Sequence, residues 1–172
     1  MSLPKFNDLK GREYYIHLDF ATLRTIRAIG VDFGNTAELG RVWAEVLMDD
    51  LKALEAIWIA VAGTLRGEQC GGVKTEAGMV THDEWLQAMD GDTLEAAREA
   101  LRQAVVNFTP PAKRAMATAA TEGVMKQYRQ LCSEATAQIT TLVDEAVSHA
   151  KQHGLLPPEL PASSGTLATS GR

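Results

Sequence analysis

Residues 35–65, NTAELGRVWAEVLMDDLKALEAIWIAVAGTL, decide how this chain folds. Asn35 suits a helix N-cap, and Glu38, three residues on, can reach back to close a capping box. Leu47, Leu51, Leu54, Trp58, Val61 and Leu65 then recur at spacings of four, three, four, three and four, with Trp43 one turn ahead. That period predicts one continuous core helix with a single apolar seam. Asp49, Asp50, Lys52 and Glu55 fall off the seam and are expected in water. Burying the seam is worth roughly 10–15 kcal/mol as an upper bound, more than any other segment offers.

The whole chain has 172 residues, 45% hydrophobic and 23% charged, which suits one domain with a real core. A net charge of −5 argues against a nucleic-acid binder. Arg24, Arg27 and Arg41 are near each other in sequence, but acidic residues surround them. The longest charge-free apolar run, Ala56–Leu65, is about ten residues, and a membrane span needs about 20. A soluble chain without membrane partners is expected. Cys70 and Cys132 lie far apart without zinc spacing, and with no signal peptide ahead of them they read as reduced thiols.

Outward from the core segment, the first twenty residues read as a β-hairpin. Asn7-Asp8-Leu9-Lys10-Gly11 is turn material, with Gly11 suited to positive φ. Tyr14, Ile16, Leu18 and Phe20 alternate with polar positions as in a half-buried strand. Asp19 caps a short helix carrying Leu23, Ile26 and Ile29, and Gly30 terminates it with Val31 folding back. On the far side, glycines 67, 71, 72 and 78 predict a mobile loop. Lys74-Thr75 lacks the glycine that a phosphate loop requires. Thr81 with Glu84 forms a capping box for a helix through Met89, with Trp85 on its inner face. Gly91 ends that helix, and Asp92 with Glu95 opens the next, striped by Leu94, Ala97, Leu101, Val105 and Phe108. Asp90-Gly91-Asp92 does not carry the ligand spread of a calcium loop. Pro111 suits a first helical turn, and residues 112 to about 153 are helix-prone and proline-free. If continuous, that helix spans roughly 60 Å. Its stripe, Met116, Ala120, Val124, Leu131, Ala135, Leu142 and Ala146, is weakly apolar, and Gly123 can kink it. The tail from Leu155 is rich in Pro, Ser and Gly and is expected to be disordered.

Chemistry-bearing patterns are sparse. Glu145, His149 and His153 lie four apart, so one helical face could offer all three to a metal. The zinc-protease pattern, however, wants glutamate where Ala150 stands, and histidines suit a last helical turn in any case. His82 and Asp83 read as a solvated first turn, and His17 as the outer face of the strand. No serine has a glycine-flanked elbow or a partner histidine. No catalytic, cofactor or metal residues are assigned, and an enzyme is not expected. A long helix of small residues with a weak stripe instead suits another protein's groove or a second copy of itself. The candidate partner-contact residues are Met116, Val124, Leu131 and Leu142.

Two segments together carry a resemblance. Phe6–Val31 holds F-N-D-L-K-G-R-E-Y, a strand, and a helix ending in I-G-V-D. Trp85–Pro110 holds M-D-G-D-T-L-E-A-A-R-E-A-L and N-F-T-P. Over roughly residues 5–111 the chain resembles the tail assembly chaperones of long-tailed bacteriophages, with their D-x-x-G-R-E-[WY] hairpin, G-V-D, D-G-D cap and aromatic-Pro helix end. The long helix after Pro111 and the glycine-rich stretch depart from that compact pattern. The resemblance implies a non-enzymatic protein of the bacterial host cytoplasm. It would bind the helical tape-measure protein and shield its apolar surface during tail assembly, with Met116 and Met125 as adaptable contacts. The alternative is a structural virion protein, a tail-completion or connector component. The fold expected is α+β and mostly α. An N-terminal hairpin packs on a helical bundle in residues 1–111, a long C-terminal helix covers 112–154, and a disordered tail covers 155–172.

Overall fold

A computed structural model of the chain describes residues 3–61, 72–75 and 78–153. It is a mostly helical α+β fold. Strands β1 (Lys5–Asn7) and β2 (Glu13–Tyr15) form the N-terminal antiparallel hairpin, with Phe6 opposite Tyr14 and their rings stacked 5.4 Å apart. Tyr14, Ile16 and Leu18 are buried, as the alternation predicts. The turn is organised by one carboxylate. Asp8, whose side chain is fully buried, accepts from the amides of Lys10 and Arg12 at 2.9 Å each, from Arg12 Nε at 2.6 Å and from the Tyr14 hydroxyl at 3.1 Å. Gly11 takes φ 72°, the conformation that favours glycine. The D-x-x-G-R-E-Y motif is thus a turn built around a buried anion.

Helix α1 (Phe20–Ala28) starts at Asp19, whose side chain accepts from the Thr22 amide at 2.6 Å. It ends in a Schellman turn: Gly30 (φ 86°) bonds back to the Arg27 carbonyl and Val31 to that of Ile26. Phe20 begins this helix rather than closing the strand, and it is 82% exposed.

The core segment is not one helix. A 3-10 turn at Thr36–Glu38 leads into α2 (Leu39–Met48), and α3 (Asp50–Ala60) follows after a break at Asp49. Asn35 accepts from Ala37, but Glu38 pairs with Arg41 instead of closing a capping box. At the break Asp49 takes an extended backbone (φ −126°, ψ 97°), and its side chain accepts from the Lys52 amide at 3.0 Å, capping α3. Of the predicted seam, Trp43, Leu47, Trp58 and Val61 are buried and Leu54 packs against the core, so among its described members the seam fails only at Leu51. Trp43, Val46, Leu47, Ala53, Ile57 and Trp58 are buried, while Leu51, at the start of α3, is 78% exposed.

The reason lies far along the chain. A break at Asp49 leaves the carbonyls of Val46 and Leu47 without the amides a continuous helix would supply. Arg98, only 2% exposed, fills them. Its Nη2 donates to Val46 O at 3.1 Å, to Leu47 O at 3.3 Å and to Asp50 Oδ1 at 2.6 Å, and its Nη1 to Glu95 Oε1 at 2.7 Å. Burial alone would lower the Arg98 pKa, but the bonds and charges of Asp50 and Glu95 raise it above the ordinary value.

Strands β3 (Gly72–Thr75) and β4 (Gly78–Thr81) pair antiparallel, so part of the glycine-rich stretch is a hairpin rather than a loop. Glycine content masked that strand signal. The parts of the loop expectation at 67–71 and 76–77, and the disordered tail at 155–172, lie outside the described residues, as does Leu65 of the seam.

Thr81 and Glu84 form the predicted capping box at α4 (His82–Leu86), and Trp85 is fully buried. The cap of α5 (Gly91–Phe108) is Asp90, accepting from the Thr93 amide at 2.8 Å, not Asp92. Gly91 opens this helix instead of ending the previous one. The predicted α5 stripe holds, with Leu94, Ala97, Leu101 and Val105 buried. Arg114 Nη2 donates to the carbonyls of Asn107 and Thr109, closing the end of α5 as Arg98 closes α2. Helix α6 (Pro111–Gln152) then runs 42 residues without a break at Gly123. The chain divides into two compact units, Met1–Gln130 and Leu131–Arg172, with the division inside α6.

Arg98→Ala should destabilise the fold by roughly 3 kcal/mol in urea denaturation, because two buried carbonyls lose their donor. Asp50→Asn, at a side chain 69% exposed, should change stability by no more than about 0.5 kcal/mol. Burial opposes the Asp8 charge, but the bonds from Arg12 and Tyr14 outweigh it and hold the carboxyl below its ordinary 3.8. Its stabilisation is therefore complete above that value and is lost as pH falls through the lowered folded-state pKa. Asp8→Asn should cost about 2 kcal/mol at neutral pH. The gap to wild type should narrow progressively as the same urea curves are run at pH values stepped down below 3.8.

Candidate protein-binding surface

The sequence-predicted contact residues all lie on α6, and the structure separates them. Pro111 opens the helix where its missing N–H costs nothing, and alanine-rich, proline-free sequence carries it forward. Within the first unit, Ala117, Thr121 and Met125 form its buried face, four residues apart. Val124 is half-buried, packs against the core and approaches Gly40 of α2. It is a packing residue, not a surface contact. Tyr128 is also partly buried against the core. Met116 is exposed beside this face. The predicted stripe was thus one position out of phase here, because Ala, Thr and Met give little hydropathy contrast.

The second unit differs. Its residues 131–149 are all exposed, and they include Leu131 (59%), Ile139 (61%), Leu142 (64%), Val143 and Val147. Leu131, Ala135, Ile139, Leu142 and Ala146 follow spacings of four, four, three and four, which keeps them on one side of the helix. Val143 and Val147 flank that line. The hydroxyls of Thr136, Thr140 and Thr141 donate to the carbonyls of Cys132, Thr136 and Ala137 at 2.8, 2.9 and 3.0 Å, so their polar atoms are already engaged. Sequence reading found Leu131 and Leu142 but missed Ile139, Val143 and Val147, whose own four-residue spacing was the available signal. Cys132, a free thiol, is exposed on the same unit. A continuous row of large apolar side chains open to water is the pattern of an interaction surface.

The histidines sit elsewhere in the chemistry. His149 and His153 bring their rings to 4.3 Å between centroids near the end of α6, where the dipole favours them. Among the described residues no group of three or more His, Cys, Asp or Glu side chains is placed to hold a metal ion. His82 is not a solvated first-turn residue. It is half-buried, with ring centroids 4.9 Å from Trp58 and 6.0 Å from Trp85. His17 is exposed, as the strand alternation predicts. Among the described residues no helix is long and apolar enough to cross a membrane.

No family model, curated protein or solved structure matches this chain.

Because Leu131 and Leu142 are exposed, Leu131→Glu and Leu142→Glu should change stability, read from urea denaturation, by no more than about 0.5 kcal/mol. Met125→Glu, at a buried position of the same helix, should cost several-fold more.

Proposed function

We propose that this chain is a tail assembly chaperone of a long-tailed bacteriophage, a non-enzymatic protein of the host cytoplasm that holds the tape-measure protein until tail-tube subunits enclose it. The observation that carries this reading is the exposed apolar row Leu131, Ile139, Leu142, Val143 and Val147. A tape-measure protein presents long amphipathic helices, and one amphipathic helix can lie against another along such a row. Exposed leucine and valine without a deep pocket give an adaptable contact of modest affinity, which release requires. The hairpin, G-V-D and D-G-D motifs of the first unit support the same assignment by their resemblance to that family.

Affinity purification of the tagged chain from phage-producing cells, with mass spectrometry of the eluate and of purified virions, tests the proposal. A long helical protein is expected in the eluate of the wild type but not of the Leu131→Glu/Leu142→Glu variant, and this chain is expected to be missing from virions. Recovery of the chain at fixed copy number in virions would overturn the proposal in favour of a structural virion component.

A further inference from the structure

The outer face of α1 carries a second feature, independent of α6 beyond Gln130. Phe20, Leu23, Arg24 and Arg27 are spaced three, one and three residues apart and so share one side of the helix. With Phe108 at the end of α5 and Lys113 at the start of α6 they line an open groove of about 520 Å³, wholly within the first unit. Phe20 and Phe108 meet edge to face at 5.2 Å. Leu23 is partly buried against the core and continues the apolar floor. Phe20 nonetheless remains 82% exposed, the most exposed large apolar side chain among the described residues.

The rim is cationic. Arg24, Arg27 and Lys113 face one carboxylate, the half-buried Asp32, which pairs with the exposed Arg27 at 3.2 Å and accepts from the Gly34 amide at 3.0 Å. Arg24 and Lys113 have no ion-pair partner among the described residues. A local excess of positive charge on a chain of net charge −5 is a reversal of the background. It favours a ligand that carries negative charge at the rim and apolar surface at the floor.

We propose that this groove binds an acidic protein segment, anchored by an apolar side chain against Phe20 and Phe108 and flanked by carboxylates that pair with Arg24 and Lys113. A nucleic acid suits it less well. Two unpaired cations release few counterions, and a continuous phosphate chain would also meet the excess acid of the surrounding surface.

A random peptide library displayed on mRNA and selected against the full chain provides the probe. Recovered peptides are then measured by fluorescence anisotropy on wild type, Phe20→Ala and Arg24→Glu/Lys113→Glu. All three residues are exposed, so circular dichroism should be unchanged in both variants. The expected result is enrichment of Asp and Glu around a large apolar residue, with binding weakened about ten-fold or more in each variant. Replacing the peptide acids by lysine should restore binding to the Arg24→Glu/Lys113→Glu variant. Absence of any saturable peptide, enrichment without acidic bias, or equal binding to the variants would overturn the proposal. So would a single-stranded oligonucleotide that binds wild type more tightly than any peptide and is lost in the same variants.

Discussion

A buried guanidinium holds the core of this protein in its bent form. Once the backbone leaves helical geometry at Asp49, the carbonyls of Val46 and Leu47 must find donors inside the protein, since water is excluded there. Arg98 supplies them from α5 and draws Asp50 and Glu95 in as counter-charges. This ties the end of α2, the start of α3 and the middle of α5 to one side chain. The hydrophobic contacts of Trp43, Ile57 and Leu101 then form around a fixed corner. Removing the charge network without removing the bend would leave buried polar atoms unpaired, which is why so polar a group can occupy the centre of the fold.

Much of the fold was legible where one local rule governed it. The hairpin turn at Asp8 and Gly11, the Asp19 cap, the Gly30 terminator, the Thr81–Glu84 box and the α5 stripe all depend on residues within a few positions of each other. The break at Asp49 was not legible. An aspartate inside an apolar period can be a surface residue of one helix or the cap of a second, and the choice here is made by Arg98, far away in sequence. The seam failed at Leu51 alone among its described members, in the first turn of the new helix, while Leu54, Trp58 and Val61 keep the predicted face beyond the break. Strands β3 and β4 were hidden by glycine, whose low strand preference says nothing about pairing partners.

The candidate surface was half legible. Leu131 and Leu142 stood out as the largest apolar side chains of a weak stripe, and both are open to water. Val124 looked identical by periodicity, yet it packs on the core beside Gly40. Periodicity alone locates a face; it does not say how far along a helix the protein's own core extends. That limit is physical, set by where tertiary partners end, and here the change from buried to exposed positions comes after Tyr128. Within the first unit α6 buries Ala117, Thr121 and Met125. The exposed row beyond it is the observation on which the proposed binding role of α6 rests.

The direct measurement is amide hydrogen exchange across the full chain in dilute solution. If the apolar row of 131–147 is a surface held open for a partner, amides of 131–152 should exchange on the order of a hundred-fold faster than those of α3 and α5, because a helix without packing opens locally. Protection along the whole of α6 as strong as that of α3 and α5 would contradict the account, since it would mean that the row is already covered within the protein.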